Sequence, residues 1–201
     1  MKFYDPLGET KKYHNNLTHW EQDNATYFIT FRLADSIPAE AIRKLNLKRE
    51  SWLLTNPPPW SAETEMEFHK LFSQILDEWM DLGHGECLLR RPELREALTG
   101  TLLQGHEKTY LMRSFVIMPN HVHVLASLKD ISLPNALKRW KGSSAIAINR
   151  IARRTGTLWQ KDYFDRLIRG PEHLFNVARY IQRNPVKAKL RDHEFTLWPK
   201  E

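Results

Sequence analysis

The chain runs to 201 residues, of which 41% are hydrophobic and 27% charged, enough for one domain with a real core and short for two. A lone cysteine, Cys87, rules out a disulfide framework and a cysteine zinc site; no stretch approaches the roughly 18 apolar residues of a membrane helix, and Met1-Lys2-Phe3-Tyr4-Asp5-Pro6 holds no apolar run that could serve as a signal sequence. The net charge of +6 is unevenly spread: residues 1–128 carry 14 basic against 17 acidic side chains (−3), residues 129–201 carry 16 against 7 (+9), a polarity open equally to a phosphate-binding face and to solvated helix faces.

After a polar leader over about residues 1–17, Thr26–Leu33 is rich in aromatic and β-branched residues and predicts a strand. Residues 39–54 predict a helix, which Asn56-Pro57-Pro58-Pro59-Trp60 cannot continue because proline fixes φ and lacks the amide donor. Ser61 can cap a helix over 62–82 with an apolar stripe of Phe68, Phe72, Ile75, Trp79 and Leu82. Pro92 opens a short helix to about Leu103. Tyr110–Met118 and His121–Leu128 predict two strands joined by a tight turn at Pro119-Asn120. Ser132 caps a long helix to about Ala152, with Leu133, Leu137, Trp140, Ser144, Ile148 and Ile151 on one face and Lys138, Arg139, Lys141, Arg150 and Arg153 on the others. Tyr163–Ile168 returns as a strand, and Pro171 starts a final helix that Asn184-Pro185 is expected to end. Strands and helices do not alternate in βαβ order, so the expected fold is α+β: one domain over residues 1–201, with a mainly antiparallel sheet, a short tail over about 191–201, and no internal repeat.

Two local patterns carry chemistry. On a strand, His121 and His123 share one face while Val122 and Val124 enter the core, so the two imidazoles can grip one divalent metal or merely sit on a solvated sheet face. On the final helix, Leu174, Val177, Ala178 and Ile181 form the buried stripe, and Tyr180 and Asn184, four residues apart, lie together on its shoulder. That pairing serves either as a site or as ordinary packing followed by a helix stop.

Phe115-Val116-Ile117-Met118-Pro119-Asn120-His121-Val122-His123-Val124-Leu125 resembles the metal-binding hairpin of the single-tyrosine transposases of the HUH endonuclease superfamily, and Tyr180-Ile181-Gln182-Arg183-Asn184-Pro185-Val186-Lys187-Ala188 resembles the nucleophile helix of the same family. Thr18–Leu33 with Asp35, Gly85–Pro92 and Leu158–Arg169 are similar to the branch of IS200-like transposases called REP-associated tyrosine transposases. The matches fall in family order over about residues 18–190.

The resemblance implies a central antiparallel sheet of ferredoxin or RNA-recognition-motif type flanked by helices, with the histidines on a central strand. It implies His121, His123 and Asn184 as metal ligands and Tyr180 as the nucleophile. The reaction would be metal-dependent cutting and rejoining of single-stranded DNA through a 5′-phosphotyrosine link, with Mg²⁺ or Mn²⁺ as cofactor. Hairpin or palindromic DNA of the REP kind would be the partner, held by Lys138, Arg139, Lys141, Arg150, Arg166, Arg169, Arg183, Lys187 and Lys189. A monomer is expected, although relatives include swapped dimers, and the setting would be a bacterial cytoplasm, at the nucleoid, with no membrane partner. The Pro57–Pro59 segment departs from the family as a local insertion, the chain ends soon after Trp198, and Asn184 stands where some relatives use Gln. A domesticated relative that binds palindromic nucleic acid without cutting it would share fold and basic face. A histidine-triad nucleotidyl hydrolase would need a third histidine where Leu125 stands, and a zinc hydrolase would need a third histidine or a carboxylate at helical spacing.

Overall fold

The computed structural model describes residues 1–14, 18–57 and 59–199. In chain order its strands are β1 (Lys11–His14), β2 (Thr18–Glu21), β3 (Thr26–Arg32), β4 (Tyr110–Ile117), β5 (His121–Leu128), β6 (Phe164–Leu167) and β7 (Thr196–Trp198). The helices are α1 (Ala39–Thr55), α2 (Ala62–Asp81), α3 (Pro92–Leu103), α4 (Leu133–Ile151) and α5 (Pro171–Lys187). Five strands form one antiparallel sheet in the order β6-β3-β5-β4-β7, giving the expected α+β fold with β5 at its centre.

Side-chain alternation decides what each sheet face meets. Val122, Val124, Ala126 and Leu128 of β5 point one way, with Tyr27, Ile29 and Phe31 of β3 and Phe115 and Ile117 of β4, into a core closed by Leu94, Leu98 and Leu102 of α3 and Leu133, Leu137, Trp140 and Ile148 of α4. The opposite face carries Phe28, Val116 and Leu125, covered by Val177 and Ile181 of α5. The histidines of β5 therefore lie under α5, on the face away from α4. A third cluster, Leu45, Phe68 and Phe72 with Trp52 and Trp60, holds α1 against α2.

Ser61 accepts from Thr64 N–H and caps α2, and Ser132 accepts from Asn135 N–H and caps α4. Pro58, at the middle of the expected proline loop, lies outside the described residues; beside it, Trp60 Nε1 donates to Asn56 O at 2.7 Å. On α2 the buried position near the C-terminus is Met80, whereas Leu82 falls beyond the helix and is exposed.

Three expectations are corrected. The leader is not simply polar chain: β1 and β2 pair into a two-stranded ribbon, with residues 15–17 between them outside the described residues. The tail contributes an edge strand, β7, paired to β4. Most consequential, Asn184-Pro185 does not end α5, which continues to Lys187 with Pro185 buried inside it. Proline at 185 cannot donate to the Ile181 carbonyl, yet Ala188 N–H reaches Asn184 O at 3.0 Å and Leu190 N–H reaches Pro185 O at 2.9 Å. One missing hydrogen bond is offset by burial of the ring, and Asn184 stays helical.

The ribbon is tied to the sheet edge by His19, fully buried, whose Nε2 lies 3.1 Å from Asp162 Oδ1 and whose Nδ1 hydrogen-bonds Asp165. Tyr13 and Tyr163 sandwich the ring and share a 2.7 Å hydroxyl contact. Burial alone would lower the His19 pKa, but both carboxylates outweigh it and hold the imidazolium up to about 9. Because the folded value exceeds the unfolded one near 6.5, this charge stabilises the fold fully below about pH 6.5 and progressively less as pH rises through about 9. Thermal melts of wild type should fall across that window, and the His19→Gln melts should fall less steeply; parallel slopes would refute the assignment.

Candidate active site

The hairpin closes over Pro119-Asn120 with Met118 N–H donating to His121 O at 2.9 Å, and β5 then presents His121 and His123 at 1% and 0% exposure. Here the structure differs from a solvated sheet face: both rings are buried. Their Nε2 atoms face each other at 3.1 Å. Burial, with Lys187 nearby, lowers the His121 pKa to about 3, and burial together with His121 and Lys187 lowers that of His123 well below its ordinary value, so both imidazoles are neutral.

Their tautomers follow from the outer partners. Asn120 Nδ2 donates to Met80 O at 3.1 Å and to His84 O at 3.3 Å, which fixes the amide so that its oxygen meets His121 Nδ1 at 2.8 Å. His121 must donate from Nδ1, leaving the Nε2 lone pair facing inward. His123 Nδ1 meets Thr30 Oγ1 at 2.8 Å, and a hydroxyl can donate or accept, so Thr30 serves either tautomer of His123. An outer hydrogen bond that turns the inner nitrogen toward a common point is the usual support of a metal-binding histidine.

Asn184 follows one turn after Tyr180 on α5. It is 1% exposed, and neither its amide oxygen nor its amide nitrogen completes a hydrogen bond, although it lies close enough to Tyr180 to favour the phenolate. Such a group ordinarily finds a partner. Two neutral imidazole nitrogens 3.1 Å apart fit neighbouring ligands on one ion with bonds of about 2.1 Å, and an orphaned amide oxygen fits a third. Among the described residues no group of three His, Cys, Asp or Glu could hold a metal. The donor set of two nitrogens and one neutral oxygen suits Mn²⁺, and Mg²⁺ in the presence of phosphate.

Tyr180 stands on α5 one turn before Asn184. Its hydroxyl donates to Asp77 Oδ2 of α2 at 2.9 Å and lies 3.4 Å from His123 Nε2. Phe28 meets the ring edge-on at 5.7 Å. Burial and the Asp77 charge raise the phenol pKa well above 10, while burial pushes the Asp77 carboxyl up to about 6 despite the hydrogen bond from Tyr180 and the charge of Lys187. A cleft of about 550 Å³ opens at this point, walled by α1, α2, β3, β6 and α5 and lined by Phe28, Arg32, Phe68, Phe164, Arg166 and Tyr180. His121, with Lys189, lines a second cleft of about 540 Å³.

The candidate basic residues divide. Arg166 lines the tyrosine cleft, its pKa lowered by burial and by Arg169. Lys187 pairs with Asp81 at 2.8 Å, and Arg169 and Arg183 are exposed. Lys138, Arg139 and Arg150 are exposed on α4, across the sheet from the imidazoles. Lys141 Nζ is held by the Gln160 and Lys161 carbonyls at 2.7 Å each, and burial lowers its pKa to about 8. The structure thus sets His121 against His123 and His123 against Tyr180, with Asn184 one turn along α5. Arg166 lines the tyrosine cleft and Lys189 the second cleft, Lys138, Arg139 and Arg150 lie on the other face, and Lys141 reaches Gln160 at the edge of the tyrosine cleft. Asp77, Thr30 and Asn120 were not singled out in the sequence; Asn120 alone had a signal, its place next to His121.

Residues 92–184 match the family model Transposase IS200 like, and that stretch contains all four of the central residues. A solved structure of a REP-associated tyrosine transposase bound to a REP hairpin is similar at 13% identity and a TM-score of 0.45, over 87% of this chain and 74% of that one. A candidate transposase from Deinococcus radiodurans R1 is similar at 14% identity and a TM-score of 0.36, over 87% and 98%. No curated protein matches the sequence. From Pro92 to Asn184, this chain is similar to the IS200-like transposases.

Proposed function

We propose that this protein is a metal-dependent endonuclease and strand transferase for single-stranded, hairpin-forming DNA, with Tyr180 as nucleophile. The observation that supports this reading most directly is the meeting of the Tyr180 hydroxyl, 3.4 Å from His123 Nε2, with the inward-facing imidazole pair and the orphaned Asn184 amide. A phenol, two neutral nitrogens and an unpartnered amide have little reason to share a buried pocket unless an ion and an anionic substrate join them.

His121, His123 and Asn184 would hold the ion, and a bound Mg²⁺ or Mn²⁺ supplies Lewis-acid polarisation of the scissile phosphate. Asn120 and Thr30 keep the imidazoles aimed. The edge of Phe28 fixes the Tyr180 ring, so the hydroxyl enters the reaction already oriented. Arg166 in the cleft, with Lys187 and Lys189 at the rims, would neutralise the neighbouring backbone phosphates, and the aromatic walls offer faces to unpaired bases. Attack by Tyr180 on the phosphorus would leave a 5′-phosphotyrosine and a free 3′-hydroxyl. The phosphodiester bond energy is retained, so a later 3′-hydroxyl can reverse the step without ATP.

The test is adduct formation. A pool of 3′-labelled single-stranded hairpin oligonucleotides with randomised flanks is incubated with the protein and Mn²⁺. Label is expected on a denaturant-resistant protein band, mapping to the peptide that contains Tyr180. Label that never becomes attached, or that maps to another residue, defeats the reading.

A further inference from the structure

Asp77 belongs to α2, far from both signature segments in sequence, yet it is the closest hydrogen-bond partner of the Tyr180 hydroxyl. A phenol has one proton, and two acceptors stand within reach: Asp77 Oδ2 at 2.9 Å and His123 Nε2 at 3.4 Å. The shorter, well-directed contact goes to the carboxylate. With the proton turned toward Asp77, the lone pairs of the Tyr180 oxygen are left free of it, and His123 Nε2 stands 3.4 Å away. A carboxylate that already accepts the phenol's hydrogen bond is placed to take that proton as the oxygen attacks.

Other carboxylates and cations nearby are engaged elsewhere or chemically unsuited. Asp81, one turn along α2, pairs through Oδ2 with Lys187, and the Tyr180 hydroxyl bonds Asp77 instead. Arg166 and Lys187 offer only donors. The Asp81–Lys187 pair and the Asp77–Tyr180 hydrogen bond lock α2 to α5 at two points a turn apart, so Asp77 is held in place rather than swinging.

We propose that Asp77 is a catalytic residue, the proton acceptor for Tyr180, an inference that rests on Tyr180 being the nucleophile. As Tyr180 Oη bonds to phosphorus, its O–H bond breaks and the proton passes to Asp77 Oδ2. The P–O3′ bond breaks with its electron pair on the 3′-oxygen, which takes a proton from water. In the rejoining step an incoming 3′-hydroxyl gives its proton to water, bonds to phosphorus, and releases Tyr180 Oη, which recovers the proton from Asp77. The carboxylate is regenerated over the full cycle.

Removing a positioned base typically slows a reaction about 10²–10⁴-fold. With the 3′-labelled hairpin pool and Mn²⁺, Asp77→Asn should form the adduct at least about 100-fold more slowly in a single turnover, while affinity for the pool stays within about 3-fold of wild type. A tyrosine analogue with a more acidic, fluorinated phenol at position 180 should restore much of the Asp77→Asn rate, a rescue that a merely structural role would not produce. The pair Asp77→Glu and Asp77→Gln repeats the comparison at equal side-chain length, with the glutamate variant at least about 10-fold faster, and carries the test should Asp77→Asn fail to fold. Amide variants that keep pace with their carboxylate counterparts, or exceed them, overturn the proposal. Adduct formation by wild type but not by Tyr180→Phe would leave the nucleophile intact in that event; no adduct from wild type defeats both readings together.

Discussion

Tyr180→Phe is expected to abolish adduct formation and cleavage altogether, because phenylalanine retains the ring and loses the single atom that can bond to phosphorus. The ring's packing against Phe28 and the flank of His123 should survive. The variant should therefore fold, bind the hairpin pool with near wild-type affinity, and take up Mn²⁺. It also removes the donor that meets Asp77. A half-buried carboxyl then loses a hydrogen bond, at a cost of about 1–3 kcal/mol if it stays charged. Since burial already pushes Asp77 up to about 6, the variant should be more stable at pH 5, where the carboxyl is protonated, than wild-type behaviour alone would suggest, with its stability deficit growing toward pH 7. Cleavage by Tyr180→Phe at the wild-type rate would remove Tyr180 from the chemistry, and with it the enzyme reading.

Much of this arrangement is legible in the chain because it obeys two short periods. The two-residue repeat of a strand places His121 and His123 on one face and sends Val122 and Val124 to the other, as the core membership of the valines shows. The four-residue repeat of a helix stacks Tyr180 over Asn184. What the periods leave open is depth. His-x-His on a solvated sheet and His-x-His under a helix look alike in sequence, and only the packing of Val177 and Ile181 on Val116 and Leu125 decides between them.

The partners that tune the site were out of reach for a different reason. Asp77 is 103 residues from Tyr180, and Thr30 is 93 residues from His123. No local rule links such positions; the sheet order β6-β3-β5-β4-β7 does, by setting β3 beside β5 in the register that pairs Thr30 with His123. The charge count had a similar blind spot. It correctly marks the last third of the chain as basic, but a helix has no sheet face until it packs, and Trp140 and Leu137 commit α4 to the side away from the imidazoles. Pro185 exposes a weaker rule. Proline usually stops a helix at the preceding residue, yet here a buried ring and resumed backbone bonds carry α5 through it. Had the helix ended there, Asn184 would have been a frayed terminal residue; instead it is a rigid interior one.

That rigidity underlies the second large effect. Asn184→Leu is expected to make the metal-free protein more stable and catalytically dead. The asparagine amide is buried with both polar atoms unpaired, and an unsatisfied buried group costs about 1–3 kcal/mol. Leucine has a similar size and shape and no polar atoms, and the nearby Ile181, three residues back on the same helix, is apolar and buried. A gain of that size raises the melting temperature by about 2–4 °C per kcal/mol in a domain of this length. Mn²⁺ should reverse the ranking. A ligand that binds only the folded state stabilises it in proportion to its occupancy, so wild type should melt higher as Mn²⁺ is added while Asn184→Leu barely responds. A structural asparagine predicts the opposite signs: loss of stability on substitution and an unchanged metal shift. If Asn184→Leu melts below wild type without metal, or gains as much from Mn²⁺, then the amide is packing rather than a ligand, and the imidazole pair must find its third donor elsewhere.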